Sequence, residues 1–362
     1  MPQYRYRTWD ALTRRPLLQD LQLGDVEFGP RLNAAGEFSG EIPVRLPLIG
    51  TEVLAPGATL LTVERDGLGL WGGIVWRTEP DGAALPVEAS GWGSYLHRRH
   101  DLHGMLNGRG PWVNADPCKV VRDVWAYAQE APDGDLGVVV DPVVSQAKVG
   151  SPAEPYRSDW WEMPVLGDIV DDMVKVEGGP EWTEDTVWEK GVPRGRIRLG
   201  WPRLGTRRTD IAFTTGVNVI SAPPQSHDGD EFAQVVIALG AGEGRARRRA
   251  VDAVRDGRLR LESVLEVPGE RGEDRLAARA RTERLARQIL GEITDIDVID
   301  HPAAPVGSWQ VGDDVPVRVD GGWGQYAGWC RITGWTIRPP RGKDPEQITL
   351  HLRRSDRYTY GG

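Results

Sequence analysis

Apolar positions along this chain fall mostly in short alternating runs broken by glycine, proline and aspartate, the pattern of β-strands joined by turns. One such unit occurs twice. The first copy reads Val63-Glu-Arg-Asp66-Gly67-Leu-Gly-Leu-Trp71-Gly-Gly73-Ile-Val-Trp76. The second reads Val317-Arg-Val-Asp320-Gly321-Gly-Trp-Gly-Gln-Tyr326-Ala-Gly328-Trp-Cys-Arg-Ile-Thr-Gly-Trp335. Each is an apolar strand, an Asp-Gly turn, an aromatic, a glycine and a second strand ending in tryptophan. Asp-Gly suits a tight hairpin because both residues tolerate positive φ at low cost. Pro56-Gly57 leads into the first copy and Val311-Gly312-Asp313 into the second. Two like β units, one near each end, predict a chain that uses one barrel twice.

The rest of the pattern predicts three regions. Residues 1–95 read as strands: Leu17, Leu21 and Leu23 precede a turn, Phe38 to Leu48 alternates between breakers, and Gly36 to Pro43 forms a short strand. Residues 96–217 read as α+β. Asp116 is a suitable N-cap with Pro117 at the first helical position, and Val120, Val121, Val124, Trp125 and Ala128 follow at helical spacing. A second helix is predicted over Val165 to Val176, stopped by Gly178-Gly179, and paired strands from Glu181 to Trp188 and Arg196 to Trp201 around a Gly191–Gly195 turn. Residues 218–362 return to strands: Phe232 to Leu239, then Val315 to Val319, Gly328 to Ile337 and Gln347 to Arg353. A helical insertion is predicted over 273–292, with Leu276, Ala277, Ala280, Leu285, Ile289 and Leu290 on a broad stripe, and a proline-rich turn over Arg338 to Pro345.

Composition supports that layout. A chain of 362 residues exceeds a usual single core, so two to four domains are expected. With 45 glycines and 27 prolines, short strands and many turns are favoured over a helical bundle. No apolar run approaches the roughly 20 residues that cross a bilayer, and the opening Met1-Pro-Gln-Tyr-Arg-Tyr-Arg lacks the apolar core of a signal peptide. Synthesis in a cytoplasm, with no stable membrane insertion, is the expectation. A formal charge of −9 argues against a dedicated nucleic-acid binder, whose affinity rests on neutralising phosphates. It does not bar nucleic acid from passing through an acidic channel. Cys118 and Cys330 stand alone, without CxxC spacing, and are expected as buried thiols.

Candidate chemistry reduces to a few motifs. His97-Arg-Arg-His100-Asp-Leu-His103 offers three imidazoles, but they share a helix face only roughly and two arginines between them would repel a divalent ion. Gly240-Ala-Gly-Glu-Gly244 follows a strand, but Arg245 stands where the dinucleotide fingerprint needs its third glycine, so a turn is expected. Asp171-Asp172 and Glu184-Asp185 resemble glycosidase pairs only in composition, and solvated faces are expected for both. The Gly-x-Ser-x-Gly elbow is absent. The tryptophans fall at strand positions or beside glycine turns, as core anchors do. No catalytic, cofactor-binding or metal-ligating set is assigned, and the chain is not expected to be an enzyme.

Motifs spread along the chain resemble the tail-tip hub proteins of long-tailed bacteriophages, in particular the minor tail proteins of actinobacterial phages. They are more remotely similar to the central hub of contractile-tail baseplates. The matching stretches run in order from Tyr4-Arg-Tyr-Arg-Thr-Trp-Asp10 to Leu32-Asn33-Ala-Ala-Gly36-Glu-Phe-Ser39 before Ile42-Pro43. Pro56-Gly57-Ala-Thr-Leu ahead of Trp71-Gly-Gly-Ile-Val75 follows, and then Phe213-Thr-Thr-Gly216-Val-Asn218. Glu273-Asp274-Arg-Leu276-Ala-Ala-Arg279-Ala280 and Arg331-Ile332-Thr-Gly334 complete the series.

The resemblance implies two tube-type β-barrels flanking a mixed α+β middle region, with three chains closing a ring. Six similar barrels would match a sixfold tail tube while leaving threefold symmetry below. It implies a structural virion protein at the tail tip, forming the channel for DNA release. Its partners would be a tail tube or distal tail protein ring above, the tape-measure protein in the channel, and other tail-tip or receptor-binding proteins below, with DNA only in transit. Many relatives carry a C-terminal extension with a cleaving or receptor-binding domain. The sequence stops at the second barrel, so such activities are expected in other tail proteins. The alternatives are a tail-borne cell-wall hydrolase and a carbohydrate-binding tail adaptor.

Overall fold

The computed structural model describes residues 2–43, 51–80, 82, 84–222, 232–288, 293–321 and 324–355. The chain divides into two compact units. One comprises Met1–Ala222, Asp295–Asp320 and Gln325–Gly362; the other comprises Pro223–Thr294 and Gly321–Gly324.

The larger unit begins with seven strands: β1 (Tyr4–Asp10), β2 (Pro16–Leu18), β3 (Gly24–Arg31), β4 (Ala34–Pro43), β5 (Thr59–Arg65), β6 (Leu68–Thr78) and β7 (Ala84–Gly91). They pair antiparallel in the order β3-β4-β7-β6-β5-β1-β2. Strand β4 includes the stretch expected from Gly36 to Pro43 and buries alternate residues, Phe38 and Ile42 among them. Its expected continuation to Leu48 lies outside the described residues. The β5–β6 hairpin has the two-residue loop its Asp-Gly predicts: Arg65 pairs with Leu68, and Asp66 and Gly67 take φ of 50° and 84°.

Strand β5 departs from half-buried alternation, since every residue from Thr59 to Arg65 is buried. Strands β1 and β6 pair along its two edges. One face carries Leu60 into the core of the following α+β region, with Trp9, Ile74 and Trp92. The strand's last two residues are buried as charges held in ion pairs, Glu64 with Arg7 and Arg65 with Glu346.

In that region the helix Pro117–Glu130 starts where expected, with the Asp116 side chain accepting from Cys118 N. Val120, Val121, Val124, Trp125 and Ala128 are buried. The helix Leu166–Lys175 buries Leu166, Ile169, Val170 and Met173. Strands β8 (Val139–Val140), β9 (Glu181–Glu189) and β10 (Val192–Gly200) form a three-stranded sheet. The β9–β10 turn is tighter than expected. Glu189 pairs with Val192, Lys190 and Gly191 take φ of 52° and 80°, and Gly195 falls inside the strand. Lysine at positive φ is unusual, which hides this turn from a composition search.

Two short strands follow, β11 (Phe213–Thr214) and β12 (Val219–Ser221). The smaller unit then contributes β13 (Val235–Leu239), β14 (Arg249–Ala253), β15 (Glu262–Glu266) and the helix Glu273–Arg287, with β13 central. Gly240–Gly244 lies in the β13–β14 connection, as expected of a turn. The helix buries Leu276 and Ala280 but leaves Ala277 exposed, so its apolar stripe is narrower than expected because only a small sheet faces it. Ile289 and Leu290 lie outside the described residues.

The larger unit closes with β16 (Asp295–Val298), β17 (Asp314–Gly321), β18 (Gly324–Arg338) and β19 (Gln347–Arg354). Strand β18 pairs with β19 and, near its end, with β3, where Gly334 faces Arg31 and Ile337 faces Phe28. The terminal half therefore joins the initial half in one 13-stranded sheet, running β12-β16-β19-β18-β3 and onward to β2. Among the described residues the two halves form this single open sheet, not two separately closed barrels. No described helix is long and apolar enough to cross a membrane.

Candidate functional site

The seam between the sheet halves is where the chain concentrates its interlocking residues. A Cβ on Gly29 would lie 1.7 Å from the Trp335 carbonyl oxygen, so only glycine lets β18 come this close to β3. Phe28 and Trp335 meet edge to face with centroids 5.8 Å apart. Beside the aromatic contact, the largely buried Arg65 of β5 grips Glu346 with two bonds, Nε to Oε1 at 2.9 Å and Nη2 to Oε2 at 3.0 Å. Nη2 also reaches Asp300 at 2.7 Å, and the Tyr4 hydroxyl donates to Glu346. Burial and the Glu346 carboxylate hold the Tyr4 hydroxyl well above the usual phenol range.

Arg331 of β18 ties the seam to the α+β region. Only 3% exposed, it pairs with Glu181 at the start of β9 through both carboxylate oxygens, Nη1 to Oε1 at 2.8 Å, and donates to the Leu204 carbonyl at 2.8 Å. Removing one member of such a pair strands the other charge in low dielectric.

Glu184, expected on a solvated face, is instead buried. Its two oxygens accept from Gly36 N at 2.6 Å and Gly93 N at 2.8 Å, joining β9 to β4 and to the turn after β7. A Cβ on Gly91 would sit 1.4 Å from its Oε1, so Gly36 from one stretch of the chain and the near neighbours Gly91 and Gly93 from another shape the slot. Burial pushes the Glu184 carboxyl up to about 7, against the pull of the two amides. Asp185, next along the strand, points to the opposite face and lies 3.4 Å from Arg198. In the helix, burial raises the Asp171 carboxyl, while Asp172 accepts from the Tyr156 hydroxyl at 2.9 Å.

The three histidines take separate partners. His103 Nδ1 lies 2.8 Å from the Tyr127 hydroxyl, His100 Nδ1 lies 2.9 Å from the Met163 carbonyl, and His97 Nδ1 lies 3.8 Å from Asp168. His97 comes together with Asp168 and Asp171 instead, through one turn of the Leu166–Lys175 helix, and Gly167 leaves room for its ring. The ordering residue of the loop is one that motif reading passed over. Asp101, fully buried, accepts from His103 N, Gly104 N, Leu106 N and Ser158 Oγ, the last at 2.6 Å. Its signal was an aspartate followed by a loop glycine, a common turn pattern.

The thiols are buried as expected, and no disulfide joins them. Burial pushes the Cys118 thiol up to about 11. Trp9, Trp71, Trp92, Trp125 and Trp335 are core residues, whereas Trp160 and Trp161 are 55% and 61% exposed.

Neither a family model nor a curated protein matches the chain. Solved structures do. The 43 kDa tail protein of prophage MuSo2 from Shewanella oneidensis aligns with a TM-score of 0.63 at 15% identity, covering 97% of this chain and 98% of that one. The chain has a phage tail-protein fold. The tail protein from Neisseria meningitidis MC58 gives 0.56 at 17% identity over 97% of both chains. The Escherichia coli c3393 protein, described as a type VI secretion component structurally similar to T4 tail proteins gp27 and gp5, gives 0.52 at 10% identity over 100% of this chain and 77% of that one. The expectation of a mainly β, tail-type protein holds at the level of the fold.

Proposed function

We propose that this chain is a structural protein of a phage tail, the trimeric hub closing the distal end of the tail tube. The observation that carries this reading is the fold likeness to a prophage tail protein along nearly the whole of both chains. The two sheet halves, each with one copy of the repeated hairpin, would be the two tube-type barrels, completed as three chains close a ring. Alternating the halves around that ring turns a sixfold tube into a threefold tip. The ring would meet a tube or distal tail protein above, hold the end of the tape-measure protein, and pass DNA without retaining it, as a net acidic wall allows. Cryo-electron microscopy of assembled tails tests this directly. Three copies at the distal tip are expected, and one or six copies there would overturn the reading.

Exposed Trp160 and Trp161, in edge-to-face contact at 5.9 Å, favour one rival, a carbohydrate-binding adaptor. That rival requires saturable binding to host glycans that Trp160→Ala abolishes.

A further inference from the structure

The three-stranded sheet of the smaller unit is covered on one face only. Val236 and Ala238 of β13 pack with Leu276 and Ala280 of the helix, and Ala250 and Leu265 join them from the flanking strands. Alternate residues turn to the other face. There Val251, Ile237 and Val264 stand side by side, because Ile237 pairs with Val251 on one side and with Val264 on the other. Val251 is 54% exposed and Val264 55%. One step along, Leu239 stands between Arg249 and Glu266 in the same way.

Both flanking strands are free edges, since among the described residues β14 and β15 pair with β13 alone. Neither contains the proline that blunts an exposed edge, so each offers a row of backbone donors and acceptors to another strand. The two edges differ in sign. On the open face β14 presents Arg249, which has no ion-pair partner among the described residues, whereas β15 presents Glu262 and Glu266. Glu266 meets Arg247 of its own chain and is still half exposed. Like charges on the two edges would hold copies of the chain apart, and opposite charges draw them together. Because β14 runs antiparallel to β13 and β15 parallel to it, β15 meets β14 of a neighbouring copy antiparallel where the sheet continues in the same direction. We propose that copies of this chain join through these two edges, with Val264 opposite Val251 of the neighbouring copy and Glu266 opposite its Arg249. In an antiparallel pair, two residues up one strand match two residues down the other, so a single register satisfies both contacts. Each exposed valine then gains an apolar cross-strand neighbour. The contact is heterologous, as a closing ring requires, and it rests on the proposed hub only for the number of chains.

The test is a Val251→Cys/Val264→Cys double variant of the full chain, oxidised mildly at high micromolar concentration. Within one chain the two positions lie two strand spacings apart, about 10 Å, beyond the reach of a disulfide. Disulfide-linked chains are expected on a non-reducing gel from the double variant. Each single variant should run as single chains, as should the wild type, whose two cysteines are buried. Arg249→Glu and Glu266→Arg should each weaken assembly at least tenfold by light scattering, with the thermal midpoint unchanged, and the two together should restore it. No linkage in the double variant, equal linkage in either single variant, or paired charge reversals that restore nothing would overturn the proposal. Linked assemblies of a number other than three would keep this contact and sink the three-chain hub, whereas three chains without linkage would do the opposite.

Discussion

Gly29 and Trp335 approach so closely that a Cβ on the first would fall 1.7 Å from the carbonyl oxygen of the second and 2.8 Å from its carbon. Both obstructing atoms are backbone, so no side-chain rotation relieves the clash. Gly29→Ala is expected to force β3 and β18 apart and destabilise the larger unit by about 3 kcal/mol, the upper range of overpacking. Chemical denaturation measures this, and a loss below about 1 kcal/mol would show that the seam is not tightly registered.

Glu184 makes stability depend on pH in a particular direction. Its folded pKa, about 7, lies above the ordinary 4.5, so the folded state holds this proton more tightly than the unfolded chain. The group's contribution is fully present below about 4.5 and is lost as pH rises through about 7. Wild-type stability should therefore decline across this window relative to Glu184→Gln, by on the order of 3 kcal/mol. Parallel pH profiles for the two proteins would contradict the buried, unpaired carboxylate.

Asp101 accepts from three backbone amides and one hydroxyl in a buried site. Asp101→Ala leaves all four donors without their acceptor and should cost about 3 kcal/mol or more, with Asp101→Asn recovering part of the loss. Equal stability of the alanine and asparagine variants would remove the hydrogen-bonding role.

Changing His97, His100 and His103 together to alanine should cost only about 1 kcal/mol for each hydrogen bond lost and leave metal content unaltered. Metal analysis that finds stoichiometric zinc in the wild type and none in the triple variant would assign His97, Asp168 and Asp171 a ligand role.

What was legible in the sequence was local. The Asp66-Gly67 hairpin and the helix capped by Asp116 each carry their signal within a few residues, and both stand as expected. The Lys190-Gly191 turn escaped because lysine does not advertise positive φ. Glu184 escaped because its slot is made by Gly36, Gly91 and Gly93, on segments that meet it only after folding. The β3–β18 pairing joins strands from opposite ends of the chain, and neither strand's alternation names its partner. That pairing is why two units read as separate barrels appear as one continuous sheet.

Native mass spectrometry of the purified chain tests the proposed hub most directly. The account predicts a species of three chains, closed by heterologous contacts between the two sheet halves of neighbouring copies. A species of six chains, or single chains persisting throughout the micromolar range, would contradict it.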